Sequence, residues 1–373
     1  MFLQQWVNER MKRKVEAELR SRPPRITFIA TDLSSGGGVN RAIRDQAVLL
    51  DQLGADITVV NARSDRPPTY AFPPQIGVQN HRAQSFAGYF LLLLGLRRTR
   101  PDVLISSWTQ DNILATAAFL GSPTRVVNVE HTSHCFHGGL IRGLRRLVYP
   151  LASALIVLNP AELRHYRGFL SNVRLLPNCV PASSGGGSSR REKLILAVGH
   201  LEERKNFAHA IHAMARSGLE TKGWSLAIVG EGPQEDELRA LIAKLGLKRT
   251  SIHPPTADIG RWYRKSSLTL VTSTLEVFSL VLAEAMQAGV VPIAYATDGP
   301  SFILEEFPDH LVDIGDVDGL ATRLAHFASV KDLETVRRAM RSAIEDRFSA
   351  SVIGGQWREF LVQQLSCQLP KPC

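Results

Sequence analysis

The chain has 373 residues, of which 44% are hydrophobic and 21% charged, values that predict a soluble globular protein of two domains. Its four cysteines, Cys135, Cys179, Cys367 and Cys373, form no CxxC pair, which disfavours a zinc site and favours a reducing compartment. The net charge is +9, and residues 1–180 carry the whole excess, with 22 Lys and Arg against 12 Asp and Glu. This segregation indicates that one domain faces an anionic partner, such as a membrane surface, nucleic acid or an acidic glycan.

The first residues form a segment of their own. Residues 1–24 are predicted to be a basic amphipathic helix whose apolar stripe includes Phe2, Trp6 and Met11. Such a helix could lie on a membrane or pack on the domain that follows it. It lacks the uninterrupted apolar core of a secretory signal, so we expect a cytoplasmic protein, peripheral at the inner face of the cell membrane.

The next part of the chain alternates strands and helices. The stretch RITFIATDL, which starts at Arg25, predicts a strand. A glycine loop and a helix ending at Gly54 follow it, and ADITVVNA predicts the next strand. This βαβ opening implies a parallel sheet. The apolar stretch at residues 86–96 is too short to span a bilayer and is predicted to be a buried helix. We assign residues 25–180 to an N-terminal Rossmann-like domain.

A second α/β domain follows a linker. Residues 181–193, PASSGGGSSRREK, are rich in glycine and serine and are predicted to be flexible. Strand and helix patterns then resume, and we assign residues 194–349 to a C-terminal Rossmann-like domain. A final helix is predicted within residues 350–373. The DVD sequence at residues 316–318 superficially resembles a metal site, but the helix that follows it favours helix capping.

Ligands of open α/β sheets bind beyond the carboxyl ends of the strands, and this rule selects four loops. The first loop, around Gly37 and Gly38, would let backbone N–H groups approach a phosphate or a sugar, although a plain tight turn is the alternative. Arg41 stands where the third glycine of a dinucleotide fingerprint belongs, and the chain contains no P-loop motif. The sequence therefore disfavours NAD binding and P-loop chemistry.

The second loop, GHLEERKNF, runs from Gly199 to Phe207. Arg204 and Lys205 precede a predicted helix N-terminus, where cations oppose the helix dipole. An anionic ligand such as a diphosphate would explain the two cations. A solvated charge pair is the alternative, and for Arg204 alone it is the preferred one.

The third loop contains two glutamates. Glu276 follows the predicted strand LTLVTS, and Glu284 lies in a helix predicted to begin near Ser279 and to end at Gly289. Two carboxylates eight positions apart could accept hydrogen bonds from two parts of a polyhydroxylated ligand, while the helix N-terminus would receive an anion. Exposed helix charges are the alternative for either glutamate alone.

The fourth loop, VEHTSHCFH, contains three histidines that lack the spacing of a compact metal site. His131, at the strand end, is best placed to face a ligand. His134 and His137 are predicted to be loop residues, and Cys135 is predicted to be an ordinary thiol like the other cysteines.

These segments resemble a known family. LEVFSLVLAEAM, at residues 275–286, looks like the E-x7-E signature of the retaining GT-B glycosyltransferases of family four, and VGHLEERKNF, IVGEGPQEDELRALIAKLGL and GVVPIAYATDGPSFILEE stand in that family's order and spacing. VEHTSH and SGGGVNRAIRDQAVLLDQLG resemble its N-terminal motifs. The resemblance covers about residues 25–365. It implies an α/β fold of the GT-B type, with two Rossmann-like, doubly wound parallel-sheet domains facing a central cleft and the C-terminal helix crossing back to the N-terminal domain.

The resemblance also implies an activity and a set of site residues. The activity would be transfer of a sugar from a nucleotide-diphosphate sugar, a UDP-sugar in preference to a GDP-sugar, without a metal or other cofactor and with retention at the anomeric carbon. The acceptor would be a glycan or lipid-linked glycan in cell-surface polysaccharide biosynthesis. Glu276 and His131 would contact the donor sugar, Glu284 the ribose, and Lys205 the diphosphate. The other residues implied in donor binding are Gly37, Gly38, Gly199, His200, Arg204, Phe278, Ser279, Leu280 and Val281.

One position departs from the family. His200 follows Gly199 where the family usually has arginine, so the phosphate site lacks a permanent cation unless Arg204 substitutes for it. Arg142, Arg145 and Arg146 share one face of a predicted helix and are expected to face anionic lipid or the acceptor.

Two other functions remain open from the sequence. The first is another reaction on the same fold, namely nucleotide-sugar epimerisation or glycan phosphorolysis, although a lysine-cofactor signature for the latter is missing. The second is a non-catalytic protein with a decayed site that binds a membrane or nucleic acid. The basic residues are not interleaved with aromatic ones, which argues against single-strand binding, so we expect no nucleic-acid partner.

Overall fold

The computed structural model describes residues 22–182, 191–256 and 258–366. Within them the chain forms two compact units, which we call the first unit (residues 22–179 and 350–366) and the second unit (residues 180–182, 191–256 and 258–349). Most of the predicted N-terminal helix and the glycine-serine part of the linker lie outside the described residues.

The first unit contains a seven-stranded parallel sheet in the order β3-β2-β1-β4-β5-β6-β7. The direction of strand addition reverses between β1 and β4, which is the switch point where this topology places a ligand. The strands are β1 Arg25–Ala30, β2 Asp56–Asn61, β3 Gly77–Asn80, β4 Val103–Ser106, β5 Arg125–Glu130, β6 Ala154–Val157 and β7 Val173–Leu175.

The helices of the first unit connect these strands. They are α1 Gly38–Gln52, α2 Phe86–Leu96, α3 Thr109–Ala118, α4 Gly139–Val148 and α5 Pro160–Arg167. The stretch predicted to be a buried helix, α2, buries Tyr89 and Leu93 but leaves Phe86 and Leu91 exposed. That prediction was therefore only partly right, because a helix that is apolar all round can still have one face in solvent.

The second unit repeats the pattern with a six-stranded parallel sheet in the order β10-β9-β8-β11-β12-β13. Its strands are β8 Leu194–Val198, β9 Ser225–Val229, β10 Thr250–His253, β11 Leu268–Val271, β12 Val291–Tyr295 and β13 Leu311–Val312. Its helices are α6 Phe207–Ser217, α7 Glu235–Lys244, α8 Ile259–Lys265, α9 Leu280–Gln287, α10 Asp298–Ile303, α11 Val317–Ser329 and α12 Glu334–Phe348. Asp316 caps α11 by accepting a hydrogen bond from the amide of Gly319, as the sequence predicts for DVD.

Both faces of the second sheet are covered, and β8 shows why its strands are almost continuously apolar. Leu194 and Leu196 belong to one hydrophobic cluster with Tyr263, whereas Ile195 and Ala197 belong to another, which packs on the opposite face. Successive side chains of a strand point to opposite faces, so every position must be apolar when helices cover both.

The last helix, α13 Ala350–Ser366, belongs to the first unit although it follows the second unit in the chain. It packs on α1, where a methyl group on Gly354 would lie 3.3 Å from the Leu49 side chain. Trp357 on the same helix is 1% exposed. The predicted return of the C-terminal helix to the N-terminal domain is thereby confirmed.

Within the described residues, every helix is too short or too polar to cross a bilayer.

Candidate functional site

The carboxyl edge of the second sheet contains a helix whose ends agree with the sequence prediction. Helix α9 begins after Ser279, whose side chain accepts a hydrogen bond from the amide of Leu282 at 3.4 Å, and Gly289 beyond its end has a φ of +74°. The first amides of a helix have no carbonyl one turn earlier to bond. A helix end of this kind favours an anion.

Glu276 and Lys205 meet at this edge although they are 71 residues apart in the chain. The Nζ of Lys205 lies 2.7 Å from Oε2 of Glu276, and the two side chains are 20% and 15% exposed. Lys205 belongs to a single 3₁₀ turn after β8, and Glu276 lies in the loop between β11 and α9. A cation and a carboxylate of this accessibility can exchange their mutual contact for a phosphate and a hydroxyl group.

Backbone contacts hold these two loops together. The hydroxyl of Thr272 donates to the carbonyl of Lys205 at 2.9 Å, and the amide of Thr274 donates to the carbonyl of Arg204 at 2.9 Å. The Lys205–Glu276 pair is thus positioned by hydrogen bonds to the main chain as well as by its own charges.

Glu284 lies on α9 itself, about one turn after the first residue of the helix. The hydroxyl of Tyr263 donates to its Oε2 at 3.1 Å and also lies 3.4 Å from the carbonyl of Val281. Tyr263 therefore orients this carboxylate, a contact that the sequence did not predict. Phe278 is buried and packs against Phe348 with ring centroids 5.4 Å apart, which leaves its backbone as the part that could meet a ligand.

His200 and Arg204, the two candidates for a phosphate-binding cation, are both exposed. The guanidinium of Arg204 lies 2.6 Å from a carboxylate oxygen of Glu202. Both side chains lie in the loop that follows β8 and carries Lys205. The sequence prediction that they share a loop with Lys205 thus agrees with the structure, and their role in donor binding remains a prediction.

Glycines outside the predicted set shape this edge. A methyl group on Gly230 would overlap the carbonyl oxygen of Gly199, and one on Gly232, at φ +156°, would lie 2.6 Å from the carbonyl oxygen of Leu201. Gly299 donates its amide to the carbonyl of Glu276 at 2.8 Å, where a methyl group would again collide with backbone. Only glycine allows these loops to pack so closely, and the motifs GEG and DGP are their sequence signal.

The glycine loop of the first unit precedes α1. Gly37 has a φ of +130°, and methyl groups built on Gly36, Gly37 or Gly38 would meet nothing within 4 Å. The buried side chain of Asn40 fixes the loop by donating to the carbonyls of Asp32 at 2.8 Å and Ser35 at 2.9 Å. The loop therefore has an open surface and a fixed backbone.

His131 follows β5 at the carboxyl edge of the first sheet. Burial lowers the pKa of His131 to about 4, so the ring is neutral near neutral pH. Its Nε2 is buried, and within the described residues it has no hydrogen-bond partner. A neutral imidazole with an unused nitrogen can bond a hydroxyl group, which suits the predicted contact with a sugar.

Arg145 corrects one prediction. Its side chain is 2% exposed, where Nη2 donates to the hydroxyl of Thr109 at 2.9 Å and lies 3.5 Å from Glu130. Glu130 is fully buried and also accepts a hydrogen bond from the hydroxyl of Tyr149 at 2.6 Å. Burial raises the pKa of Glu130. Arg145 thus neutralises a buried carboxylate and cannot face a membrane.

Arg142 and Arg146, by contrast, are exposed on the same helix, α4. Their neighbours Leu140 and Leu147 are 79% and 72% exposed. The three arginines lie within one broad arc of the helix, but only its edge at Arg145 packs inward. Spacing alone could not show which edge that is.

His134 and His137 lie in the loop between β5 and α4, as predicted. Nδ1 of His134 lies 2.9 Å from Oε1 of Glu162, and Nε2 of His137 lies 3.1 Å from the hydroxyl of Thr109. Within the described ranges, no three His, Cys, Asp or Glu side chains are arranged to hold a metal ion.

Two family models match adjacent parts of the chain. Residues 36–184 match Glycosyltransferase Family 4, and residues 184–347 match Glycosyl transferases group 1. Together with the two parallel sheets, these matches define a protein of the GT-B fold. The chain belongs to the GT-B glycosyltransferases, with a family 4 first half and a group 1 second half.

Several known proteins are similar to the chain. The chain is 33% identical over 283 residues, 73% of its length, to an exopolysaccharide phosphotransferase of Streptomyces coelicolor, but it spans only 29% of that relative. It is 26% identical to an α-1,4-N-acetyl-D-galactosaminyltransferase of Campylobacter jejuni whose name specifies an undecaprenol-linked acceptor, over 91% of the chain and 98% of that protein. Anabaena HepE in complex with UDP superposes with a TM-score of 0.76 at 18% identity, over 91% of this chain and 100% of HepE, which shows the fold alone.

Proposed function

We propose that this protein is a retaining, metal-independent glycosyltransferase that moves a sugar from a UDP-sugar to a glycan or lipid-linked acceptor in cell-surface polysaccharide biosynthesis. One observation carries the proposal. Glu276, in the loop that leads into α9, lies 2.7 Å from Lys205 of the loop after β8, and Glu284 follows on α9. This arrangement offers two hydroxyl acceptors and a cation close to a helix N-terminus, which favours anions.

Each group has a part in the proposed reaction. Glu284 accepts hydrogen bonds from the ribose, and Glu276 contacts the donor sugar. Lys205 and the first amides of α9 stabilise the negative charge that develops on the diphosphate as it leaves. The acceptor hydroxyl attacks from the face that the diphosphate leaves and transfers its proton to a diphosphate oxygen. Attack from that face retains the anomeric configuration.

One relative supports the acceptor. The Campylobacter protein is named for transfer to a sugar chain on undecaprenol diphosphate. A lipid-linked acceptor would be reached at a membrane surface. The exposed face of α4, with Arg142, Arg146, Leu140 and Leu147, combines the cations and apolar side chains that anionic bilayers attract.

The donor is tested by thermal unfolding in the presence of UDP- and GDP-sugars. A ligand that binds only the folded protein raises its unfolding temperature, so we expect a rise with at least one UDP-sugar and a smaller one with GDP-sugars. The absence of a shift with any nucleotide sugar would favour the non-catalytic alternative. An epimer formed from donor alone, without acceptor, would favour epimerisation.

The site is tested by Glu276→Ala and Lys205→Ala. We expect each variant to lose transfer by about a hundredfold or more, because each removes a charge that acts at the reacting groups, while circular dichroism stays unchanged. Lys265→Ala is the matched control, since Lys265 forms an exposed pair with Glu192 at 3.6 Å just before β8. Full activity of both site variants would exclude the proposed mechanism.

The membrane face is tested by sedimentation with vesicles of anionic and of zwitterionic lipid. We expect Arg142→Ala and Arg146→Ala each to weaken binding to anionic vesicles by about 1 kcal/mol, roughly fivefold, and to leave zwitterionic vesicles unaffected. Equal binding of anionic vesicles by wild type and by a variant with both substitutions would show that α4 does not contact the membrane.

A further inference from the structure

Three residues of the first unit form a constellation that the proposed transfer reaction does not use. Cys135 is exposed, and its Sγ lies 3.0 Å from Nε2 of His134. Nδ1 of the same ring lies 2.9 Å from Oε1 of Glu162, which is 1% exposed. A nucleophile, a base and a group that orients the base are thus aligned, which is the arrangement that activates thiols.

The contacts of Glu162 determine which nitrogen of the His134 ring carries the proton and which can act as a base toward the sulfur. A buried carboxylate accepts hydrogen bonds only, so Nδ1 of His134 carries the proton and Nε2 presents its lone pair to the thiol. The backbone amide of His134 also donates to both oxygens of Glu162 at 3.2 Å. The ring of His165 stacks on that of His134, with centroids 3.8 Å apart. The imidazole is therefore fixed in position and in tautomer.

We infer that Cys135, His134 and Glu162 form a thiol-activating triad and that Cys135 is a site of oxidation by hydrogen peroxide. The thiol proton passes to Nε2 of His134, and the sulfur attacks one peroxide oxygen. An S–O bond forms as the O–O bond breaks, so the sulfur is oxidised to a sulfenic acid. The hydroxide that leaves takes the proton from His134 and becomes water.

The other described cysteine shows why Cys135 is the one expected to be oxidised. Cys179 is buried, and burial raises the pKa of its thiol to about 12. A thiol that stays protonated and shielded from solvent reacts slowly. Cys135, by contrast, is exposed and has a base in hydrogen-bond contact.

The test measures alkylation of Cys135 by iodoacetamide in the native full-length protein near neutral pH, by peptide mass spectrometry. The reference is a synthetic peptide of residues 129–140, which holds the same thiol without the fold. We expect Cys135 in the protein to react about tenfold faster than in the peptide. Dimedone should label Cys135 after treatment with hydrogen peroxide, and Cys135→Ser should abolish that label.

Variants distinguish activation of Cys135 by the triad from reactivity that is due to solvent exposure alone. Glu162→Gln keeps the shape and an acceptor oxygen but removes the charge, and His134→Ala removes the base from a partly exposed position, so at least one variant is expected to stay folded. Each should slow alkylation about fivefold or more. His137→Ala is the control, because that ring lies in the same loop but contacts Thr109. A rate equal to that of the peptide, or one unchanged by His134→Ala, would overturn the inference.

Discussion

The two units treat charge at their sheet edges in opposite ways. In the second unit, Lys205 and Glu276 form a pair that remains 20% and 15% exposed. In the first unit, Glu130 and Arg145 are 0% and 2% exposed, and Asp111 is fully buried as well. Solvent reaches the pair in the second unit, whereas the buried charges support the loops around them. Under the proposed function, the same residue types serve binding in one unit and architecture in the other.

The largest expected effect comes from breaking the buried pair. Arg145→Ala leaves Glu130 without its cation, and loss of one partner of a buried ion pair costs about 3 to 5 kcal/mol. We expect that decrease in the free energy of unfolding by urea. Arg146→Ala on the same helix is the matched control and should change it by less than about 0.5 kcal/mol. Equal effects of the two substitutions would contradict the burial of Arg145.

A smaller effect concerns Asp111, which accepts hydrogen bonds from Thr31 at 2.6 Å and Tyr89 at 2.8 Å. Burial raises the pKa of Asp111 to about 6, and these hydrogen bonds oppose the rise. The folded state therefore prefers the neutral acid. The stability this contributes is fully present below the ordinary pKa of about 4 and is lost as pH rises through 6.

Asp111→Asn tests this dependence because asparagine does not titrate. Relative to wild type, we expect the variant to gain about 2 to 3 kcal/mol in free energy of unfolding between about pH 4 and pH 8. The comparison of variant with wild type at each pH cancels other titrating groups. A constant difference across this range would show that Asp111 does not titrate as its burial implies.

The smallest effect on stability belongs to the partly exposed pair of Lys205 and Glu276. Glu276→Gln keeps the shape of the side chain, and an ion pair that solvent reaches contributes about 1 kcal/mol or less to stability. We expect a change of that size in unfolding by urea, together with a large loss of transfer like that proposed for Glu276→Ala. A loss of stability as large as that of Arg145→Ala would erase the distinction between the two units.

Much of the fold follows from sequence pattern. Alternating apolar strands and helices predicted two parallel sheets, and serine and glycine at the ends of α9 predicted its limits to within a residue. Such features are local, because capping and strand burial depend on neighbouring residues. The short strand β3 was missed because three of its four residues, Gly77, Gln79 and Asn80, are exposed, so it lacks an apolar pattern.

The site was predictable only where chemistry and motif coincide. Glu276, Lys205 and Glu284 are recognisable from spacing and resemblance, but the 2.7 Å contact between the first two joins loops 71 residues apart. Likewise, Cys135 looks like an ordinary thiol until Glu162 approaches from 28 positions further along in the chain, behind His134. Long-range contacts of this kind leave no local signal, and the same is true of the burial of Arg145.

The position of α13 bears on how the protein is synthesised. Its partner on the first unit, α1, emerges from the ribosome about 300 residues earlier, and the second unit lies between them. At about 5 to 20 residues per second, the intervening second unit alone takes about 10 to 30 s to translate. Throughout that interval the apolar surface around Leu49 that Gly354 later covers remains uncovered. The first unit is therefore completed only after the second unit has been synthesised.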